Sequence, residues 1–360
     1  PFAPAEAPAT KLVKVAVRGK VVGRDGRKPA NIVLVIDASG SMAKNDRLPL
    51  VQQSLKMLTG QLNPTDTVAL VAFGNEAYTL LDPTPATQRD RILNAIDSIQ
   101  PSGQTNLLKG LQAGYQVASQ SHKSGASNKL ILCSDGIATL GESEADAILQ
   151  YVDGYRQQGV TCTTVGFGAG AYNDDVMEKL ANKGDGTYYF VDSVREAQRV
   201  FVDDLTATLQ TIAKDAKIQV EFNPQRVRRY RLIGYENRAI ADKDFRNDTI
   251  DAGEVGSGKS STALYEVELT GDEKLDLGTV YVRYRNTDTN QIEEINQPLT
   301  GSMIKDRTPR SDPRFYLAAC AAEPPPPEPV IRPVRAETVA VSANVRERVF
   351  SGVAEATTLW

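Results

Sequence analysis

Asn31-Ile32-Val33-Leu34-Val35-Ile36-Asp37-Ala38-Ser39-Gly40-Ser41-Met42 is the stretch on which the fold turns. Ile32 to Ile36 is an unbroken apolar run, the pattern of a strand buried on both faces of a parallel sheet, where neither face meets water. The run stops at Asp37 and passes into a short polar loop. A helical face follows, made of Leu50, Val51, Leu55, Leu58 and Leu62 and closed by Asn63-Pro64. Strand, polar loop and helix in that order open a βαβ unit.

Working outward, the same alternation continues. Val68 to Phe73 reads as the second buried strand and Glu76 to Leu81 as a short edge strand. Ile92, Ala95, Ile96 and Ile99 mark a helix ended by Pro101, and Leu107, Leu108, Leu111, Tyr115 and Ala118 mark another that Thr105-Asn106 can cap. Lys129 to Ser134 is a strand ending at Asp135, Ser143 to Gln158 a helix, and Val160 to Val165 the next strand. Asp174 to Asn182 predicts a short helix and Thr187 to Val191 the last strand. Val194, Ala197, Phe201, Leu205, Leu209 and Ile212 line a closing helix. The prediction is a doubly wound, Rossmann-like α/β domain with a mainly parallel sheet over residues 30–215.

Past Lys217 the helical period disappears. Ile218 to Phe222, Val227 to Tyr235, Ser261 to Leu269 and Leu277 to Arg285 read as strands separated by Gly, Asp and Asn turns, which predicts a smaller β-sandwich over 216–306. Such a sandwich is thin, and the alternating stretch Lys11 to Val22, within residues 11–29, is expected to complete it, so that the α/β domain is inserted in or joined to the β domain. Residues 1–10 form a Pro/Ala-rich arm, 307–323 a helical segment around Asp312 to Ala322, and 324–360 a Pro-rich linker and tail with one alternating piece, Thr338 to Val345.

Composition narrows the function. A chain of 360 residues with 41% hydrophobic and 24% charged residues can bury real cores. Its formal charge of −4 supplies no field for nucleic acid or an anionic membrane surface. Cys133, Cys162 and Cys320 are too few and too irregularly spaced for a disulfide framework or a zinc cluster, and Cys133 and Cys162 sit in apolar runs as core thiols. One histidine, His122 in a polar stretch, leaves no triad or imidazole-based zinc site. No apolar stretch approaches the ~20 residues of a membrane-spanning helix. A start at Pro1 rather than Met is what removal of a targeting segment leaves.

Ligands of open α/β sheets sit beyond the C-terminal ends of the strands, near the point where strand order reverses. Three polar loops fall there: Asp37-Ala38-Ser39-Gly40-Ser41, where Gly40 lets the backbone curl between oxygen-bearing side chains; Gly103-Gln104-Thr105-Asn106, with the Thr105 hydroxyl at a helix start; and Ser134-Asp135-Gly136, a carboxylate ending a strand. Two carboxylates and three hydroxyls are hard oxygen donors suited to Mg²⁺, Mn²⁺ or Ca²⁺.

DxSxS, a downstream Thr before a helix and an Asp in a strand-end SDG together resemble the metal-ion-dependent adhesion site of von Willebrand factor type A domains. The resemblance implies a cation held by Asp37, Ser39, Ser41, Thr105 and Asp135, the hydroxyls directly or nearly so and the aspartates often through water. The match is closer still to the bacterial YfbK-like branch, through LIGYENRAIADKDFRNDTIDAGEVGSGKSSTALYEVEL (Leu232 to Leu269) and the preceding strand KLVKVAVRGK. It covers about residues 11 to 322 and departs after Glu323, where PPPPEP replaces the expected helical continuation.

Bland readings compete with this one. A lone DxSxS is common in caps and turns, because Asp and Ser bond neighbouring amides; Thr105 and Asp135 at matching strand ends make it a site. Gly253-Glu254-Val255-Gly256-Ser257-Gly258-Lys259-Ser260 satisfies the phosphate-loop pattern GxxxxGKS, but a strand-like stretch follows where a helix is needed, so it reads as a Gly-rich hairpin loop. Gly166-Phe167-Gly168-Ala169-Gly170 lacks dinucleotide-loop spacing and reads as a connection beside the cation edge. Arg226, Arg228, Arg229 and Arg231 alternate with Val227 and Tyr230 as a solvated strand face rather than an anion patch.

The function expected is a non-enzymatic, divalent-cation-dependent protein-binding module for adhesion or assembly, its site completed by a partner's Asp or Glu. The resemblance places it outside the cytoplasm, in the periplasm or at the cell surface. The alternative is a structural subunit of an extracytoplasmic assembly, self-associating through the β domain or tail, whose cation only stabilises the loops. A metal-dependent hydrolase needs a general base beside the ion; the nearest candidates, Asp174 and Asp175, read as a helix start.

Overall fold

Strand β1 (Thr10–Arg18) opens the chain and β2 (Ala30–Asp37) follows it, in a computed structural model that describes residues 10–101, 103–136, 142–168, 174–204, 209–233, 239–250, 252–270 and 275–305, with the backbone of 332–333, 336–340 and 353–358. The chain divides into two compact units, residues 22–210 and residues 1–21 with 211–360.

Unit 22–210 is the α/β domain. After β2 come α1 (Leu48–Gln61), β3 (Thr67–Phe73), β4 (Ala77–Pro85), α2 (Arg89–Asp97), α3 (Leu107–Gln120), β5 (Ser127–Ser134), α4 (Glu142–Gln157), β6 (Val160–Phe167), α5 (Asp174–Lys183), β7 (Tyr188–Val191) and α6 (Val194–Gln198). The sheet order is β4-β3-β2-β5-β6-β7, with every pairing parallel except that of the edge strand β4. Strand order reverses between β2 and β5, so the crevice at their C-terminal ends is the switch point.

The apolar run of β2 is divided by its pleat. Ile32, Leu34 and Ile36 face one hydrophobic cluster with Val51, Leu55 and Leu58 of α1, while Val33 and Val35 face the other with Leu111 and Tyr115 of α3. Every residue of β2 and β3 is buried. Tyr115 also stacks on Tyr155 of α4 at 4.5 Å, with Tyr151 edge-on to both rings, which ties α3 to α4.

α3 lies close to the sheet because two of its residues lack side chains. A Cβ on Gly110 falls 2.6 Å from the Phe73 ring, and one on Gly114 falls 3.0 Å from Leu130 Cδ1 and closer still to Val35 Cγ2. Alanine gains up to about 1 kcal/mol over glycine in a helix interior, but overpacking a core costs about 1–3 kcal/mol. Gly114→Ala is therefore expected to lower the urea midpoint of unfolding, whereas Gly154→Ala, on an α4 position with nothing within 4 Å, is expected to raise it. Equal responses from the two sites would contradict the packing account.

The closing helix is shorter than its periodicity predicts. α6 runs into one π-helical turn, Arg199–Asp203, Leu209 is again helical, and Thr211 already begins strand β8 (Thr211–Phe222), so Ile212 is a strand residue. Its hydrophobic spacing coincides with a helix because β8 is buried along most of its length between neighbouring strands. Residues 205–208, including Leu205, lie outside those described.

The second unit continues with β9 (Val227–Ile233), β10 (Ala239–Ile240), β11 (Gly253–Gly256), β12 (Ser260–Leu269), β13 (Gly278–Asn286), β14 (Ile292–Leu299), β15 (Ile304–Lys305), β16 (Arg332–Pro333), β17 (Ala336–Ala340) and β18 (Val353–Thr358). One sheet has the order β15-β18-β1-β12-β9-β16 and the other β10-β17-β8-β13-β14, with β11 also on β8. Phe222 of β8 packs its ring 4.8 Å from Tyr230 of β9 and 5.5 Å from Tyr265 of β12, so aromatic side chains join the two sheets. β1 lies antiparallel to β12 from Thr10–Glu268 to Arg18–Ser260, which makes the α/β unit an insertion between β1 and β8.

Two expectations for this unit are corrected. Residues 324–360 are more than linker and tail: β16 pairs with β9, β17 with β8 and β18 with β1, filling edges that strands up to residue 306 leave open. The phosphate-loop look-alike is not a hairpin, since β11 pairs with β8 and β12 with β1 and β9. Its turn, with Gly258 at φ +72°, carries the chain from one sheet to the other. The arginine strand face is solvated as expected at Arg228 and Arg229, 67% and 45% exposed, and it is also ion-paired, Arg229 with Glu268 and Arg231 with Glu266 of the adjacent strand. The helix expected over 307–323 lies outside the described residues, as does Cys320.

Candidate metal centre

Asp37 ends β2 at the switch point with its side chain fully withdrawn from water. Its Oδ1 accepts the Ser39 N–H at 2.9 Å and its Oδ2 accepts the Ser134 hydroxyl at 2.7 Å, so both oxygens are aimed by the loop and by the end of β5. The Ala38 N–H donates to the Phe73 carbonyl at the end of β3 (2.7 Å), and buried Met42 anchors the far side of the loop in the core. Between these anchors the Ser39 and Ser41 hydroxyls come within 3.1 Å of each other.

The second loop is tied to the first by one backbone bond, Gly40 N–H to Gly103 O at 2.9 Å. A Cβ on Gly40 would stand 3.3 Å from that carbonyl, and Gly103 takes φ +77°, so glycine at both positions allows the close approach. Thr105 follows, half-buried, just before Asn106, whose side chain caps α3 by accepting the Lys109 N–H at 3.1 Å. The third loop begins at Ser134; Gly136, at φ +69°, donates its N–H to the Ser134 hydroxyl oxygen at 3.2 Å. Asp37, Ser39 and Ser41 are thus joined in one loop, Asp135 stands beside them at the end of β5, and the Gly40–Gly103 bond ties to that loop the segment that leads to Thr105.

Burial pushes the Asp37 carboxyl above its usual range against the hydrogen bonds from Ser134 and Ser39, and the neighbouring Asp135 adds to the rise. A buried carboxylate under that strain is stabilised by a cation. Among the described residues no three His, Cys, Asp or Glu side chains come together, so a cation here depends on hydroxyls, and the donors present are the hard oxygens that Mg²⁺, Mn²⁺ or Ca²⁺ prefer. The residues fit such an ion.

Sequence reasoning missed two residues at this site. Ser134, read only as part of a strand-end loop, orients Asp37. Arg47 is the other: its guanidinium is buried, pairs with Asp135, and donates from Nη1 to the Ser41 carbonyl at 3.0 Å. A signal for it existed. Arg47 occupies the N-cap of α1, where the positive end of the helix dipole disfavours a cation, so a carboxylate must lie nearby. Elsewhere, Cys133 and Cys162 are buried thiols, and desolvation pushes Cys162 up to about 12, which makes it unreactive.

Residues 31–204 match the von Willebrand factor type A domain, and residues 207–323 match the C-terminal domain described as that of the uncharacterized protein YfbK. The α/β unit and its switch-point loops are accordingly those of a von Willebrand factor type A domain protein, a class whose domains mediate protein–protein interactions. Within that class the chain belongs to the YfbK-like family. It is 35% identical to uncharacterized protein YfbK of Escherichia coli over 329 residues, 86% of this chain and 57% of that protein. It thus spans somewhat over half the length of that relative. It is also 24% identical over 298 residues to the uncharacterized protein sll0103 of Synechocystis, covering 80% of this chain and 69% of that one. Among solved structures, a von Willebrand factor type A protein from Catenulispora acidiphila shares the fold, with a TM-score of 0.50 at 13% identity over 82% of this chain and 74% of that one.

Proposed function

We propose that the chain is a non-enzymatic, divalent-cation-dependent protein-binding module in which Asp37, Ser39, Ser41, Thr105 and Asp135 hold Mg²⁺, or Mn²⁺ or Ca²⁺ in its place, and a carboxylate of a partner protein completes the site. The observation that carries this reading is the aimed, buried carboxylate of Asp37 beside two hydroxyls 3.1 Å apart. With few anionic ligands, an ion held here keeps much of its charge and attracts an Asp or Glu from outside. Among the described residues a hydrolytic reading finds no general base here: Asp175, in the first turn of α5, pairs with Lys179 one turn on, in a solvent-facing helical pair. Binding, and assembly through it, therefore outranks chemistry.

The test is partner capture from an extract of the source organism with wild-type chain and Ser41→Ala, each in Mg²⁺ and in EDTA. The expected result is a partner retained only by wild type in Mg²⁺. A partner retained equally in EDTA, with only the melting temperature lowered by chelation, would leave the cation a purely structural role.

A further inference from the structure

We propose that Arg47 is a built-in counter-cation that holds Asp135 when no metal is present and thereby sets how tightly the site takes a divalent ion; this rests on the metal-binding reading above. The side chain is committed to that position. It leaves the N-cap of α1 and pairs with Asp135, while Nη1 also donates to the carbonyl of Ser41, a residue of the cation loop itself. The side chain of Asp135 is fully buried and that of Arg47 is 6% exposed, so solvent screens the pair little.

The surrounding chain makes room for this arrangement. Gly168, just after β6, has φ +95°, and a Cβ there would stand 2.8 Å from Arg47 Cγ and 3.0 Å from its Nε. The pose is also incompletely satisfied, because the buried Nε has no acceptor among the described residues. The guanidinium is held by Asp135 and one loop carbonyl, both part of the site.

The consequence is a competition. A fixed positive charge on one carboxylate ligand repels a divalent ion and occupies an oxygen the ion or its water would use. At the effective dielectric of about 20 that suits such sites, a single neighbouring charge is worth at least about tenfold in affinity. In the cation-free protein the same charge compensates the buried Asp135, which lies next to Asp37. Removing it should therefore move two quantities in opposite directions, which loss of a merely structural contact would not do.

The full chain, as wild type, Arg47→Met, Arg47→Gln and Arg47→Lys, would be titrated with Mg²⁺ and with Mn²⁺ by calorimetry, and its melting temperature recorded in EDTA. Met and Gln are expected to tighten Kd for both ions about tenfold or more while lowering the melting temperature in EDTA; Lys is expected to stay near wild type in affinity. Gln retains a donor for the Ser41 carbonyl and serves if Met does not fold. Wild-type binding with unchanged or weaker affinity in the neutral variants would overturn the counter-cation proposal alone and make Arg47 a group that positions Asp135 for the metal. Absence of Mg²⁺ and Mn²⁺ binding in every protein would overturn it together with the metal-binding reading.

Discussion

Asp37→Ala is expected to abolish the thermal stabilisation that Mg²⁺ gives the wild-type chain, with little of the destabilisation usually caused by deleting a buried, hydrogen-bonded side chain. An ion present at one hundred times its Kd stabilises the state that binds it by about 2.7 kcal/mol. For a unit the size of residues 22–210 each kcal/mol shifts the melting temperature by about 2–4 °C, so a wild-type shift of roughly 5–10 °C should vanish in the variant. In EDTA the balance differs. Burial holds Asp37 above its ordinary range, so the folded state binds that proton more tightly than the unfolded state does. The stability tied to it is fully present below the unfolded value of about 3.9 and is lost as pH rises through the higher folded value. At neutral pH the ion-free protein carries this carboxylate at a cost, and Asp37→Asn, which keeps the acceptor for the Ser39 amide, should match or exceed wild type in melting temperature. The gap between the two proteins should widen in favour of Asn as pH is raised from 4 to 7. A Mg²⁺ shift that survives Asp37→Ala would remove this carboxylate from the site.

What could be read from the chain, and what could not, follows from the range of the interactions. The run Ile32 to Ile36 announces a doubly covered strand because both faces of β2 are buried by neighbouring helices, and the pattern lies within a few residues. The three polar loops were equally local, and the fold brings Asp37, Ser39 and Ser41 together by bonds of short range, with Gly103 joined across one hydrogen bond. Arg47 and Asp135 meet over 88 positions, and only the unfavourable placement of an arginine at a helix start hinted at it. Strands β16 and β18 were missed, and β17 was marked only by the alternating piece Thr338 to Val345, because short strands after a polyproline stretch have little periodicity of their own; the partners β9, β8 and β1 lie far back in the chain. Ile212 was assigned to a helix for the converse reason. A strand buried on both faces satisfies a helical hydrophobic pattern as readily as its own.

Asp66→Ala is expected to be the most destabilising single change in the α/β unit away from its apolar core. Asp66 and Arg27 form an ion pair whose side chains are 0% and 1% exposed. Both carboxylate oxygens are occupied: Oδ1 accepts from Arg27 Nη1 at 2.9 Å and from the Ala30 amide at 2.8 Å, and Oδ2 accepts from Arg27 Nη2 and from the Asn63 amide at 2.7 Å. One side chain thereby fastens the entry of β2 to the turn between α1 and β3, the two segments whose separation would shift the strand that carries Asp37. Breaking a buried pair by removing one partner costs about 3–5 kcal/mol, because the other charge stays buried and unpaired. Two amides lose their acceptor as well, each worth about 1–3 kcal/mol if left unsatisfied. Water entering the space left by the carboxylate offsets part of this, so a loss near 4 kcal/mol is expected, read as a fall in the urea midpoint at constant slope. Arg27→Met separates the contributions. If the ion pair dominates, the double variant Arg27→Met/Asp66→Ala should be scarcely less stable than Asp66→Ala alone, since no charge remains to be stranded. If the amides dominate, Arg27→Met should be the milder single change and the double variant should approach the sum. A loss below about 1 kcal/mol for Asp66→Ala would mean that solvent reaches the site and that the strand entry is held by the sheet alone.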